Sequence, residues 1–184
     1  VVALDGPAHG ASPGATTDPL DFAVHLAEVG RELGPLAGII GHSMGGASTI
    51  LAIQRGLQVE RVVLISAPSS LFGVVERFAQ IMQLPAPVAA RYFDLMNERV
   101  GVDRSAMDVA TVIQGITLPG LIFHDPEDAE VPFTDAQAIV AAWPTAQLRV
   151  VTGRGHRRIL LAPEVVSEAT AFLTSKVPSQ GPAR

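Results

Sequence analysis

The segment Gly41-His42-Ser43-Met44-Gly45-Gly46 places a serine between glycines in G-x-S-x-G spacing. An aliphatic run at residues 36–40 comes directly before it, and a helical pattern over 44–55 directly after. A chain that turns from strand to helix at one residue strains that residue's backbone, and flanking glycines remove the Cβ atoms that would clash there. The hydroxyl is thereby pushed out at the carboxyl edge of a sheet, beside the free amides and the positive dipole end of the next helix. Ser43 is expected to act as a nucleophile in acyl transfer, with the backbone N–H of Met44 donating to the oxyanion. The plainer alternative is a glycine-rich turn whose serine caps a helix, and the strand before it and the helix after it argue against that.

A serine hydroxyl attacks poorly at neutral pH unless a base takes its proton, so a histidine must reach Ser43 from another strand end. Of the five histidines, His42 adjoins the serine and is expected to point to the other side of the turn, while His25 falls within a helical pattern. His9 lies in a loop after the first aliphatic run, and His124 ends another such run. His156, in Thr152-Gly153-Arg154-Gly155-His156, occupies a glycine-rich loop between a strand pattern and the last helix, which makes it the best placed. Its imidazole needs a carboxylate to fix the tautomer and stabilise the charged form. The loop His124-Asp125-Pro126-Glu127-Asp128-Ala129-Glu130-Val131-Pro132 offers four acids, and residue chemistry alone hardly separates Asp125 from Asp128.

The elements that position these residues follow from the pattern of apolar side chains. Short aliphatic runs at 1–4, 36–40, 61–65, 120–123 and 147–151 alternate with helical periodicity, which predicts an α/β chain with a mostly parallel sheet and helices on both faces. Asp18 with Pro19 predicts a helix start, with Phe22, Leu26, Val29 and Leu33 on its inner face before Gly34. Thr134 with Gln137 predicts a capping box for a helix burying Ile139, Val140 and Trp143. Pro163 opens the last helix, with Val165, Val166, Ala169, Phe172 and Leu173 turned inward. Residues 69–116 hold helical patterns and no convincing strand. Leu71, Phe72, Val75, Phe78 and Met82 form one apolar stripe there, and Val88, Tyr92, Leu95 and Met96 another. These faces either pack on the domain or form a lid that offers an apolar surface to an acyl chain. The organisation expected is a core of residues 1–68 and 117–174, a helical insertion at 69–116 and a flexible tail at 175–184.

Composition narrows the classes of partner. With 184 residues and 48% hydrophobic content the chain forms one domain, large enough to remove about 70% of its unfolded surface from water. Lys and Arg number 13 against 18 Asp and Glu, for a net charge of −5, so nucleic acid, which needs a concentrated cationic footprint, is not an expected partner. The absence of cysteine excludes disulfides and thiolate chemistry and is compatible with a cytoplasmic location. No apolar stretch approaches the roughly 20 residues that span a bilayer, so no membrane partner is expected either.

The sequence resembles the α/β-hydrolase superfamily from Val1 to about Leu173. Residues 1–12, Val-Val-Ala-Leu-Asp-Gly-Pro-Ala-His-Gly-Ala-Ser, look like a strand and turn of that family, with Ala8 in place of a usual glycine. Gly41 to Gly46 looks like its nucleophile elbow, and Gly153-Arg154-Gly155-His156 resembles its histidine loop. Asp128 followed by Val131-Pro132 is similar to its acid motif, which favours Asp128 over Asp125. The chain order of serine, acid and histidine is also that family's. The stretch after Ser69 sits where members carry a cap.

What the resemblance implies is cleavage of a carboxylic ester or thioester by Ser43, His156 and Asp128 acting as nucleophile, base and orienting acid. It implies neither metal nor organic cofactor, and a small-molecule acyl substrate with an apolar portion. A lyase or perhydrolase on the same three residues, or a non-catalytic binding homologue, would look much the same. Members usually begin with further strands and a loop that supplies a second oxyanion amide. The functional polypeptide is therefore expected to continue upstream of Val1.

Overall fold

Runs of β-branched and aliphatic residues become short strands, and helices fill the long crossovers that parallel neighbours require. In chain order the elements are α1 (Pro19–Leu33), β1 (Ile39–His42), α2 (Met44–Gln54), β2 (Val62–Ile65), α3 (Leu71–Ile81), α4 (Ala86–Val100), α5 (Val109–Val112), β3 (Gly120–His124), α6 (Phe133–Ala142), β4 (Ala146–Val150), α7 (Gly155–Arg158) and α8 (Pro163–Thr174). The computed structural model describes residues 1–101 and 104–175. Among these, the strands form one parallel sheet in the order β1-β2-β3-β4, with Ile65 opposite both His42 and Phe123, and His124 opposite Val150.

Alternation along the strands explains why both faces are covered. Val62, Leu64 and Ile122 face one way, into a core with Ile50, Leu51, Ile139 and Trp143. Val63, Ile65, Leu121 and Phe123 face the other, against Ile159, Val165 and Ala169 at and before α8. Trp143 is fully buried, and its Nε1–H donates to the Leu118 carbonyl at 3.0 Å. Its ring lies so close over β3 that a Cβ on Gly120 would fall 2.5 Å from it, which accounts for a glycine inside a buried strand.

Several expectations are met and others corrected. Asp18 caps α1 as expected, its Oδ1 accepting from the amides of Leu20 and Asp21. The face α1 buries, however, is Ala23, Leu26, Ala27 and Gly30, and Leu33 is exposed. Small residues win because α1 packs closely: a Cβ on Gly30 would strike Leu57. Residues 1–4 form no strand. Nothing pairs with them, Val1, Val2 and Leu4 are exposed, and Ile40 on β1 is half exposed. An aliphatic run becomes a strand only where a neighbour offers a ladder to join.

The capping box at Thr134 is absent as well. Helix α6 starts two residues earlier than that box implies, at Phe133, after Pro132 at the N-cap with extended backbone. In α8, Val165 and Ala169 turn inward with Phe172 and Leu173 packed partly beside them, but Val166 is exposed. The described residues of 69–116 form α3, α4, α5 and short 3-10 turns, and the two ends of this stretch meet at an antiparallel bridge between Ser70 and Asp108. Leu71 and Phe72 of the first stripe are buried, whereas Phe78, Met82, Val88 and Leu95 remain largely exposed. Of the tail, residues 176–184 lie outside the described residues. No helix among the described residues is long and apolar enough to cross a membrane.

The indole of Trp143 closes one core and holds β3 against α6, so Trp143→Ala is expected to cost about 3–5 kcal/mol of stability. Urea denaturation should show a lowered midpoint. A loss under about 1 kcal/mol would contradict the packing described.

Candidate active site

The ladder hydrogen bonds continue one residue past β1, β2 and β4 at the carboxyl edge of the sheet. Ser43 N–H donates to the Ile65 carbonyl at 3.0 Å, Ser66 N–H to that of Phe123 at 2.9 Å, and Val151 N–H to that of His124 at 3.0 Å. The loops carrying the expected site residues therefore start from fixed positions side by side.

Ser43 lies between the last residue of β1 and the first of α2 with φ 53° and ψ −126°, a left-handed φ that non-glycine residues rarely adopt. Such a conformation costs on the order of 1–3 kcal/mol and persists only where its surroundings over-determine it. Here they do. The Ser43 amide is held by Ile65, and its carbonyl accepts from the amides of Gly46 and Ala47 at 3.0 and 3.3 Å. A Cβ on Gly41 would sit 2.6 Å from Gly46 Cα, and one on Gly46 would sit 2.8 Å from Ala67 Cβ, so both glycines are required for the close approach. The Ser43 side chain makes no capping hydrogen bond to α2, which removes the plain helix-cap alternative. Met44 is the first residue of α2, so its N–H has no partner four residues earlier in the helix.

His156 lies in α7, reached through Gly153 and Gly155 with φ of 73° and 62°. Its ring is buried, and Nδ1–H donates to Asp128 Oδ2 at 2.8 Å, leaving Nε2 as the lone-pair nitrogen. His156 Nε2 lies 3.8 Å from Glu130 Oε2, while Glu130 Oε1 accepts from Arg157 Nε–H at 3.2 Å. Asp128 Oδ1 in turn accepts from the amides of Glu130 and Val131, both at 2.9 Å. Burial alone would raise the Asp128 pKa. The Val131 and Glu130 amides, the His156 ring and the nearby Ser66 hydroxyl outweigh it and hold the carboxyl below the usual aspartate range.

The structure thus separates the two aspartates that sequence chemistry could not. Asp125 is fully buried and does not pair with His156. Instead its Oδ2 accepts from the amides of Arg154 and Gly155 at 2.5 and 2.6 Å, and its Oδ1 from Glu127 N–H at 2.9 Å. It fastens the loop that carries His156. Burial would raise its pKa too, but the amides of Glu127, Gly155, Arg154 and Gly153 together lower it.

Of the remaining histidines, His124 is buried with Nε2 on the Val131 carbonyl at 2.9 Å, while His9 and His25 are exposed. His42 points to the side of the turn where the His156 loop arrives. Its Nε2 lies 2.8 Å from the His156 carbonyl, and the two rings are 4.7 Å apart. Sequence reasoning missed this. Alternation along β1 fixes the direction of His42, but nothing in the sequence says which loop waits there.

Ser43 opens on a cavity of about 310 Å³ whose walls include Met44, Pro19, Pro68, Leu71, Phe72 and Val75, with Glu130 and Val131 at the same wall. Ser43 and the loop after β3 therefore meet at one apolar chamber, walled on one side by α3, whereas His156 lines a separate recess with Ala129, Glu130 and Arg157.

A parallel sheet with a strained serine at the turn from its first strand into a helix, and a paired aspartate and histidine in the loops after later strands, is the arrangement of the α/β-hydrolase fold class. Residues 1–169 match the alpha/beta hydrolase family, and the chain belongs to that family. No sequence among curated proteins matches it. Similar solved structures include Rv0554 of Mycobacterium tuberculosis, 18% identical over 94% of this chain and 78% of that one, with a TM-score of 0.68. The esterase EaEST of Exiguobacterium antarcticum is 18% identical over 92% and 80% of the two chains, with a TM-score of 0.63. A bromoperoxidase of Bacillus anthracis is 17% identical over 92% and 78%, with a TM-score of 0.62. Likeness at this identity carries the fold and no further.

Because the folded pKa values of Asp125 and Asp128 are depressed, both stabilise the fold above the ordinary value of 3.8, and that contribution is lost as pH falls from there through their lower folded values. Asp125→Asn puts an amide N–H against amide donors and is expected to cost about 1–3 kcal/mol at neutral pH. It should also flatten the acid limb of a stability-versus-pH curve. An unchanged acid limb would contradict the anchoring role.

Proposed function

We propose that the protein is a serine hydrolase that cleaves a carboxylic ester or thioester through an acyl-enzyme on Ser43. The observation that carries this is a strained Ser43 lining an apolar cavity that Glu130 and Val131 of the Asp128 loop also line, together with a His156 already held by Asp128. Ser43 Oγ attacks the acyl carbon while His156 Nε2 takes its proton. Asp128 fixes the tautomer and stabilises the imidazolium, and Met44 N–H donates to the oxyanion. His156 then protonates the departing alcohol or thiol, and water attacks the acyl-enzyme by the same route. The acyl portion lies in the cavity, with the helices of residues 69–116 as its cap.

A second reading keeps the same acyl-enzyme but has hydrogen peroxide intercept it in place of water, giving a peracid. It is retained because the fold neighbours include a bromoperoxidase as well as an esterase. Product analysis with and without peroxide separates the two.

A fluorophosphonate probe should label the wild-type protein and fail on Ser43→Ala. Ser43→Ala and His156→Ala should each lower kcat by several orders of magnitude, and the double variant by little more, since groups acting as a unit are not additive. Multiplicative losses, or labelling at another residue, would contradict the reading.

The cavity generates its own test on a panel of acyl-chain lengths. Val75→Trp fills part of the chamber and should lower kcat/KM for long acyl esters by about 10-fold or more while sparing acetate, an effect of the size hydrophobic pockets give. Equal losses across the panel would place the acyl group elsewhere.

A further inference from the structure

We infer that His42 is a positioning residue: its Nε2–H donates to the main-chain carbonyl of His156 and ties the end of the strand that presents Ser43 to the loop that presents the base. This rests on the acyl-transfer reading above. The bond is 2.8 Å long, spans 114 residues of sequence, and is backed by ring contact at 4.7 Å.

Its importance follows from what else holds the loop. Among the described residues, the other hydrogen bonds leaving the 152–158 segment run to Asp125, Asp128 and Glu130 in the loop after β3, or to Glu164 in α8. The first three fix His156 relative to the loop of its acid partner, and the last ties it to α8. Among the described residues, only the His42 bond runs directly from this segment to the strand that presents Ser43.

The chemistry of the ring suits the role. A neutral imidazole with its proton on Nε2 donates to a carbonyl. Burial lowers the His42 pKa, and the nearby His156 ring lowers it further; the hydrogen bond to the His156 carbonyl and the charges of Asp128 and Glu130 raise it, but by less. The net shift favours the uncharged ring, which donates to the carbonyl without placing a second positive charge beside His156.

One hydrogen bond contributes little to global stability. A misplacement of 1 Å in a reacting group, by contrast, can cost on the order of 10²-fold in rate. The two effects are separable. In the full chain, His42→Phe is expected to lower kcat by about 10- to 100-fold with KM changed by no more than about 2-fold. The rate of fluorophosphonate labelling at Ser43 should fall in parallel, and the melting temperature should hardly move. His42→Gln carries an amide N–H in place of Nε2–H and should recover most of the activity. His42→Leu repeats the test should the phenylalanine variant not fold.

Hydrogen exchange of the 153–158 amides reads the tether without reference to catalysis: faster in the donor-less variants, restored in His42→Gln. Unchanged kcat or unchanged exchange in folded donor-less variants overturns the inference, as does a glutamine variant no better than phenylalanine. A wild-type protein that Ser43-directed probes do not label overturns the acyl-transfer reading instead, and the exchange result still decides whether the tether exists.

Discussion

The backbone of Ser43 is the constraint on which the site depends. A left-handed φ at a side-chain-bearing residue is held only because β1 ends in register with β2 immediately before it and α2 begins immediately after it. The parallel ladder fixes one side through the Ile65 carbonyl, and the first turn of α2 fixes the other through Gly46 and Ala47. Neither element has slack, because Gly41 and Gly46 approach so closely that a methyl group on either would meet backbone or Ala67. The sheet and helix are thus stabilised by their cores, and part of that stability maintains a strained turn that exposes one hydroxyl.

The rest of the chemistry is arranged by backbone amides more than by side-chain pairs. Asp125 and Asp128 sit three residues apart in one loop, both buried, and both keep their charge because amides point at them. Yet they do different work. Asp125 spends its lone pairs on the main chain of the histidine loop, and Asp128 leaves one oxygen for the His156 ring. Burying two carboxylates this close is tolerable only because each has several donors, which also makes the two loops a single unit.

Much of this was legible in the sequence where one local rule governs. The strand-to-helix context of Gly41 to Gly46 announced the turn, and the glycines at 153 and 155 announced the histidine loop, since positive φ there favours glycine. The four described strands and the crossover helices followed from the period of apolar residues. Asp128 over Asp125 came only from resemblance, because the choice depends on where two loops meet in space. The contact of His42 with the histidine loop was not legible for the same reason. Residues 1–4 read as a strand because their composition suits one, but pairing is a property of neighbours and not of composition. Small residues on α1 were overlooked because hydrophobicity, which the pattern weighs, counts for less there than how closely two helices approach.

The central claim is that the exposed Ser43 hydroxyl carries the acyl group during turnover. Rapid acid quench of the protein during hydrolysis of a chromogenic ester, followed by mass spectrometry of its peptides, tests this directly. Our reading predicts a mass increase equal to the acyl group on the peptide containing Ser43, and loss of that increase in Ser43→Ala. Steady ester turnover with Ser43 unmodified at every quench time, or with the acyl group found on another residue, would contradict it.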